Sequence, residues 1–211
     1  MRPAGFWQRE IAWLLDALLL TVGVHLVLAL WALLPLPWPR ALAPERLQAL
    51  LSRGLGLALE PLATPEAAQA LLWELLAALG WMGLVAGAAY ALLAFPYFVL
   101  QEAGPRRATP GKRALGLLVA DRAGAPLTTA RASTRHLAAA LSWATLNLGH
   151  ALAAWTPSRR ALHDRLSGTR VLARAPALPP WARLLVGLQL ALLLAPPLLL
   201  LAVLALLLAG P

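Results

Sequence analysis

The chain has 211 residues, of which 60% are hydrophobic and 13% charged, and its mean hydropathy is +0.70. Because soluble domains carry about 25% charged residues, this composition excludes an ordinary soluble protein and indicates a membrane protein. The net charge of +9 does not indicate nucleic-acid binding, since the basic residues flank apolar runs and no basic recognition helix or aromatic RNA-binding strand occurs. The absence of cysteine excludes disulfides and thiolate metal sites.

The first predicted span covers residues 11–34, which exceeds the roughly 20 residues that a transmembrane helix needs. Its length and the presence of Asp16 argue against a cleaved signal peptide, so we expect it to be retained. In the connecting segment 40–69, leucines recur at helical spacing at positions 47, 50, 51, 55 and 59. This pattern predicts a short amphipathic helix, which either lies on the membrane surface or caps the helix bundle.

The second predicted span covers residues 70–100, with a kink or an end expected at Pro96. Gly80, Gly83 and Gly87 lie along it, and Gly83 and Gly87 form a GxxxG pair, which lets another helix approach closely. We therefore expect a helix-packing surface here, and in a homo-oligomer this surface would form the contact between copies.

Residues 101–135 form a basic loop, with seven Lys or Arg residues against Glu102 and Asp121. The positive-inside rule places this loop, and with it the N-terminus, in the cytoplasm. Thr109, Pro110 and Gly111 form a turn signal, and residues 115–121 have the composition of a strand. A Gly/Pro turn follows, so residues 127–129 are expected to pair back as a hairpin.

The third apolar segment, residues 136–155, is long enough to cross a membrane, but six arginines and a single acid follow it in residues 156–183. A crossing would place that basic block outside. We favour a re-entrant pair of helices, broken near Asn147–Gly149, because it keeps both basic blocks on one side. The last span covers residues 183–208, with a kink at Pro196–Pro197. Re-entry gives three crossings and spanning gives four.

The predicted fold is therefore an all-α polytopic membrane protein. It has three full transmembrane helices, a re-entrant or short third hydrophobic segment, and a small cytoplasmic β-hairpin.

Arg9 and Asp16 are the charged residues that need an explanation. They lie seven residues apart on nearly the same helix face, about 10 Å apart along the axis. An ionised residue inside a span costs about 2.5–3.5 kcal/mol, so it usually faces the protein interior or a water-filled cavity. The pair needs a third partner, and Asp164, flanked by His163 and Arg165 and followed by a helix-ending Gly168, is the candidate. A solvated charge cluster on a surface helix is the alternative.

Other chemical patterns are weak. The sequence Thr109-Pro110-Gly111-Lys112 ends like a phosphate loop, but the required spacing and the following Ser or Thr are missing. The four histidines are too scattered for a metal site. We expect no metal, no cofactor and no enzymatic activity.

Three motifs nevertheless carry a resemblance: GFWQREIAWLLDALLL (5–20), ATPGKRALGLLVADRAGAPLT (108–128) and ALHDRLSGTRVL (161–172). Over residues 4–173 the chain resembles the RDD family of bacterial membrane proteins, which is named for an Arg and two Asp residues. The resemblance implies that these are Arg9, Asp16 and Asp164. It also implies a family domain at 1–174, an additional helix at 175–211 and a place in the bacterial cytoplasmic membrane. The supporting motif positions are Thr109, Pro110, Gly111, Lys112, His163, Arg165, Gly168 and Thr169.

Two functions follow from these observations. Some family members have been associated with sodium–proton antiport, which implies a small transporter in which Asp16 and Asp164 alternately hold Na⁺ or a proton. Three or four spans are few for transport, so this hypothesis requires a homo-oligomer, and Arg9 would compete with the cation. In the alternative, the protein is a non-transporting scaffold or a lipid- or partner-binding module. Its basic loops then attract anionic lipids, and the Arg/Asp/Asp set is structural.

Overall fold

The structure, a computed structural model, describes residues 1–34, 48–49, 52–53, 56 and 64–209 and is mostly helical. Three of its helices are long and apolar enough to cross a membrane: α1 (Phe6–Leu33), α2 (Pro65–Ala103) and α7 (Pro180–Ala209). The prediction of three full transmembrane helices is therefore confirmed. Helix α2 does not end at Pro96 but continues for seven residues, to Ala103. The predicted amphipathic helix falls mainly on residues outside those that the structure describes.

The shorter elements lie between and around these helices. In chain order they are β1 (Arg2–Pro3), α3 (Pro110–Ala114), β2 (Leu117–Asp121), α4 (Thr129–Ala144), α5 (Leu148–Trp155), α6 (Leu162–Leu166) and β3 (Thr169–Ala173). Threonine side chains begin two of the helices. Thr109 accepts a hydrogen bond from the Lys112 amide at the start of α3, and Thr128 accepts one from the Arg131 amide at the start of α4.

The three strands form one antiparallel sheet in the order β1–β3–β2. The strand predicted at 115–121 is present as β2, but the predicted pairing with residues 127–129 is wrong. Strand β2 pairs instead with β3 over five residues, from Leu117 opposite Ala173 to Asp121 opposite Thr169. The longer pairing buries Val119 and Val171 almost completely, whereas Thr128 is used as the helix cap of α4.

Helices α4 and α5 form a bent pair, with an angle of 99° between them. The break lies at residues 145–147, beside the predicted position, and Leu146 and Asn147 adopt left-handed backbone conformations there with φ of 51° and 66°. Strand β2 precedes the pair and β3 follows it, and these strands are hydrogen-bonded to each other. The chain therefore leaves and returns at the same sheet, which favours a re-entrant hairpin over a crossing.

The chain divides into two compact units, residues 20–94 and residues 1–19 with 95–211. In the first unit, Leu71, Leu75 and Ala78 pack together. A methyl group added at Gly80, Gly83 or Gly87 would meet nothing within 4 Å, so the use of this glycine row for helix packing or for a homo-oligomer stays a prediction. The second unit contains the sheet and every residue of the predicted polar site. The boundary predicted between residues 174 and 175 also stays a prediction.

Candidate functional site

Asp164 lies in the first turn of α6 and is fully buried. Its Oδ2 accepts hydrogen bonds from Arg9 Nη1 at 2.5 Å and from the Ala161 amide at 3.0 Å, and its Oδ1 accepts one from Arg135 Nη1. Arg9 is held further by the main-chain oxygens of Arg159, at 2.6 Å, and Ala4, at 3.3 Å. The carboxylate therefore joins the start of α1 to α4 and α6.

The charge of Asp164 is fixed by these neighbours. Burial by itself would raise the pKa of this carboxyl group, but the charges of Arg135 and Arg9 outweigh burial and hold the pKa well below its usual range. Asp164 is thus ionised in the folded protein at all physiological pH values.

Asp16 occupies a second, separate position on α1 and is also fully buried. It accepts three hydrogen bonds: from the Tyr97 hydroxyl at 2.7 Å, the Thr109 hydroxyl at 2.5 Å and the Gly111 amide at 2.8 Å. A methyl group at Gly111 would overlap the main-chain oxygen of Ala12 and lie 2.8 Å from the Asp16 carboxyl carbon. Helix α3 is therefore able to approach α1 so closely only because residue 111 is glycine.

Glu102, Lys112 and Arg135 connect the two aspartates. Lys112 Nζ lies 3.0 Å from Glu102 Oε1, and Arg135 Nε lies 2.9 Å from Glu102 Oε2. Lys112 Nζ also donates to the Thr109 hydroxyl at 3.4 Å, and that hydroxyl donates to Asp16. We call the whole set the buried network; its ionisable members are Arg9, Asp16, Glu102, Lys112, Arg135 and Asp164. It contains three acids and three bases, so its formal charges balance.

The three residues of the predicted site, Arg9, Asp16 and Asp164, are thus not all in contact with one another. Arg9 and Asp164 meet directly, whereas Asp16 reaches them only through the other members of the buried network. Sequence reasoning missed Glu102 and Arg135, which it counted only as charges of a basic loop. The available signal was that Glu102 lies two residues after the end of the second predicted span and that Arg135 directly precedes the third apolar segment.

The residues predicted to support the polar site lie in different parts of the structure. Thr109, Gly111 and Lys112 contact the buried network, and Pro110 is the first residue of α3. Thr169 accepts a hydrogen bond from Arg135 at 3.0 Å. Gly168 has a φ of 68° in the turn between α6 and β3, and Arg165 is exposed.

A cavity of about 660 Å³ lies against the buried network. Helices α1, α5 and α7 supply most of its apolar wall, which includes Phe6, Trp7, Trp13, Leu148, Leu190 and Leu193. Three buried polar atoms on its lining residues have no hydrogen-bond partner among the described residues: Nδ1 of His150, Nδ1 of His163 and Oε1 of Gln189. Burial lowers the pKa of His163 well below its usual value, so this imidazole is neutral.

No group of three or more His, Cys, Asp or Glu side chains arranged to hold a metal ion occurs in the described part of the chain. The unpartnered atoms at the cavity belong to neutral hydrogen-bonding groups. Of the charged residues that line it, Arg9, Glu102, Lys112 and Arg135 are paired within the buried network, whereas Glu10 has no ion pair among the described residues. The arrangement is therefore suited to an uncharged or apolar group with a hydrogen-bonding end.

Comparison with known proteins gives one match. The model of the RDD family matches residues 3–168, a range that includes Arg9, Asp16 and Asp164 and leaves α7 outside. No curated protein and no solved structure matches the chain. The family match covers more than three quarters of the 211 residues, and three helices are able to cross a bilayer. The chain therefore belongs to the RDD family and is a multi-pass integral membrane protein.

Proposed function

We propose that this protein is a non-transporting membrane module that binds a lipid in the cavity of its second unit and that its Arg/Asp/Asp set is structural. One observation carries the structural role: the carboxylates of the buried network already accept hydrogen bonds from protein donors. Asp16 accepts three, and Asp164 accepts two from guanidinium groups, one from an amide and one from the Thr169 hydroxyl. A buried ion set of this kind fixes the arrangement of the elements that contribute to it.

The same observation weighs against cation–proton exchange. A sodium ion at Asp164 would have to displace Arg9 or Arg135, each of which carries the same positive charge as the ion. A sodium ion at Asp16 would compete with the hydroxyl and amide donors that join α1 to α2 and α3. Each carboxylate oxygen of Asp16 and Asp164 already accepts at least one hydrogen bond from a protein donor.

The cavity supports a lipid as the ligand. Two helices able to cross the membrane, α1 and α7, border it, so an acyl chain can enter from the bilayer. Its wall is mainly aromatic and aliphatic, and such walls favour apolar ligands. In the tautomer that carries its proton on Nδ1, each of the His150 and His163 imidazoles would donate a hydrogen bond to an ester or carboxyl oxygen of a lipid, since Nδ1 has no partner among the described residues.

We propose further that the sheet lies on the cytoplasmic side of a bacterial inner membrane, together with the N-terminus. Exposed arginines accumulate at this end of the second unit, and the described ones include Arg106, Arg113, Arg122, Arg131 and Arg165. Basic residues are retained in the cytoplasm, and each contributes about 1 kcal/mol of attraction to an anionic membrane surface.

This orientation can be tested with single cysteines, because the chain has none of its own. We expect Ser158→Cys, in the exposed loop after α5, to be protected from a membrane-impermeant thiol reagent on intact cells. Leu34→Cys, directly beyond the other end of α1, is the control and should be labelled. Labelling of Ser158→Cys from outside would mean that residues 136–155 cross the membrane.

Ligand binding can be tested by filling the cavity. Ala139 lines it, whereas its neighbour Ala140 is exposed and does not. We expect native mass spectrometry of the purified protein to detect a retained lipid in the wild type and in Ala140→Trp but not in Ala139→Trp. Equal retention in both variants would refute the cavity as the binding site. Sodium-driven proton flux in proteoliposomes that Asp16→Asn abolishes in a folded protein would establish exchange instead.

A further inference from the structure

A second pocket, of about 280 Å³, lies beside the sheet and is separate from the lipid cavity. We call it the arginine pocket; its lining residues are Pro3, Arg122, Ser158, Arg160, Thr169 and Arg170. The three arginines come from different parts of the chain: Arg122 follows β2, Arg160 precedes α6 and Arg170 lies in β3. The fold, rather than a local basic run, brings them together.

Among the described residues, no carboxylate lines this pocket. The two acids nearest in sequence are directed elsewhere: Asp121 accepts hydrogen bonds from the Ala123 and Ala125 amides and from Arg131, and Asp164 belongs to the buried network. The described partners of Arg160 are the main-chain oxygens of Thr169 and Asp164.

The guanidinium groups of Arg122 and Arg170 also have no counter-ion among the described residues. Arg170 donates from Nε to the main-chain oxygen of Asp121 at 3.0 Å. Arg122 has no hydrogen bond or ion pair among the described residues, and its Nε lies 3.7 Å from the position that a Cβ of Gly168 would take. Arg122 therefore lies beside the turn that precedes β3. Main-chain oxygens orient Arg160 and Arg170 without neutralising their charge.

We infer that the arginine pocket binds a phosphate group, either on a lipid headgroup or on a soluble phosphate compound. Guanidinium groups match the oxygens of a phosphate with paired N–H donors, and the Ser158 hydroxyl adds a donor at the rim. A doubly charged anion would offset the repulsion between the three arginines. Consistent with this repulsion, burial and the charges of Arg122, Arg165 and Arg170 lower the pKa of Arg160, and of the acids only Asp164 opposes them.

If the bound phosphate is that of a lipid headgroup, the inference rests on the proposed attraction of the protein to anionic lipids. If the phosphate is that of a soluble compound, it does not. The pocket itself is tested with free phosphate, on the full chain in nanodiscs of uncharged lipid, by isothermal titration calorimetry. Arg122→Gln is the main variant, because no described contact depends on its side chain. Arg106→Gln is the matched control, since Arg106 is exposed and does not line the pocket.

We expect inorganic phosphate or soluble short-chain phosphatidic acid to bind the wild type and Arg106→Gln equally, and Arg122→Gln about tenfold more weakly or worse. Arg160→Gln should show the same loss. Binding of phosphatidic acid without binding of inorganic phosphate would show that the pocket recognises a lipid headgroup. Binding of both would show that the phosphate group alone is sufficient for recognition. No binding of either probe, or equal binding by Arg122→Gln, would overturn the inference. Ala139→Trp should bind phosphate normally, so a failure of the lipid cavity is distinguishable from a failure of this pocket.

Discussion

Asp164→Asn is expected to lower the free energy of unfolding by about 3–5 kcal/mol, the range seen when one partner of a buried ion pair is removed. The substitution preserves the size of the side chain but removes the negative charge that two guanidinium groups share. Arg135 would keep one carboxylate partner, Glu102, which Lys112 also contacts, and Arg9 would keep none among the described residues. The buried network would carry one uncompensated positive charge.

Thermal unfolding of the purified protein in nanodiscs measures this effect. Asp121→Asn is the control, because that carboxylate pairs with an exposed Arg131 at 3.2 Å, and we expect a far smaller change there. The charge-balanced double variant Asp164→Asn with Arg9→Gln should recover part of the loss, since the two residues are directly coupled. A single Asp164→Asn variant as stable as the wild type would show that the buried network does not hold the fold.

The same carboxylate gives a pH dependence of known sign. Because the pKa of Asp164 is lower in the folded protein than its unfolded value of about 3.9, its contribution to stability is complete above that value. It is lost progressively as the pH falls below about 4. Asp164→Asn should therefore show a weaker loss of stability in acid than the wild type.

Gly111→Ala is the second substitution for which we expect a large effect, about 3 kcal/mol or more. The added methyl group would overlap the Ala12 main-chain oxygen within α1, and helix backbone does not move aside readily. Overpacking of this kind costs about 1–3 kcal/mol. Moving α3 away from α1 would also break the Gly111 amide's hydrogen bond to Asp16, and a hydrogen bond to a charged group contributes about 1.5–3 kcal/mol.

Gly187→Ala is the matched control. Gly187 lies in α7, where a methyl group would meet nothing within 4 Å, and alanine favours a helix more than glycine does. We expect this variant to accumulate in membranes and to unfold like the wild type, whereas Gly111→Ala should accumulate poorly. If both variants behave alike, the close contact between α1 and α3 is not required for folding.

The long helices were predictable from sequence and the sheet partner was not. Three apolar runs exceed the length that a bilayer requires, so composition alone located α1, α2 and α7. The pairing of β2 with β3 joins residues about 50 positions apart. A local pattern favours the nearest extended segment, and here that segment, residues 127–129, leads into the cap of α4.

The residues of the polar site also include some that the sequence identifies and some that it does not. Asp16 stands out because it interrupts an apolar run, and Arg9 because it lies on nearly the same helix face just before that run. A charge in such a place requires a partner. Glu102 and Arg135 do not stand out, because the loop between them holds other basic residues that remain in solvent. What selects Arg135 is its position on α4, where it contacts both Glu102 and Asp164. That position depends on the packing of α4 against α6 and not on the local sequence.

The ion pair between Arg9 and Asp164 also sets an order of events during synthesis. The two residues are separated by 155 positions in the chain, and a ribosome adds about 5–20 residues per second. Asp164 is therefore synthesised about 8–30 s after Arg9, and until then Arg9 has no carboxylate partner at this position. During that interval α1 is already long enough to insert, and its arginine has to stay solvated at the membrane surface. The centre of the second unit can close only after β3 has emerged, so assembly of this unit is a late step that follows insertion of the first two spans.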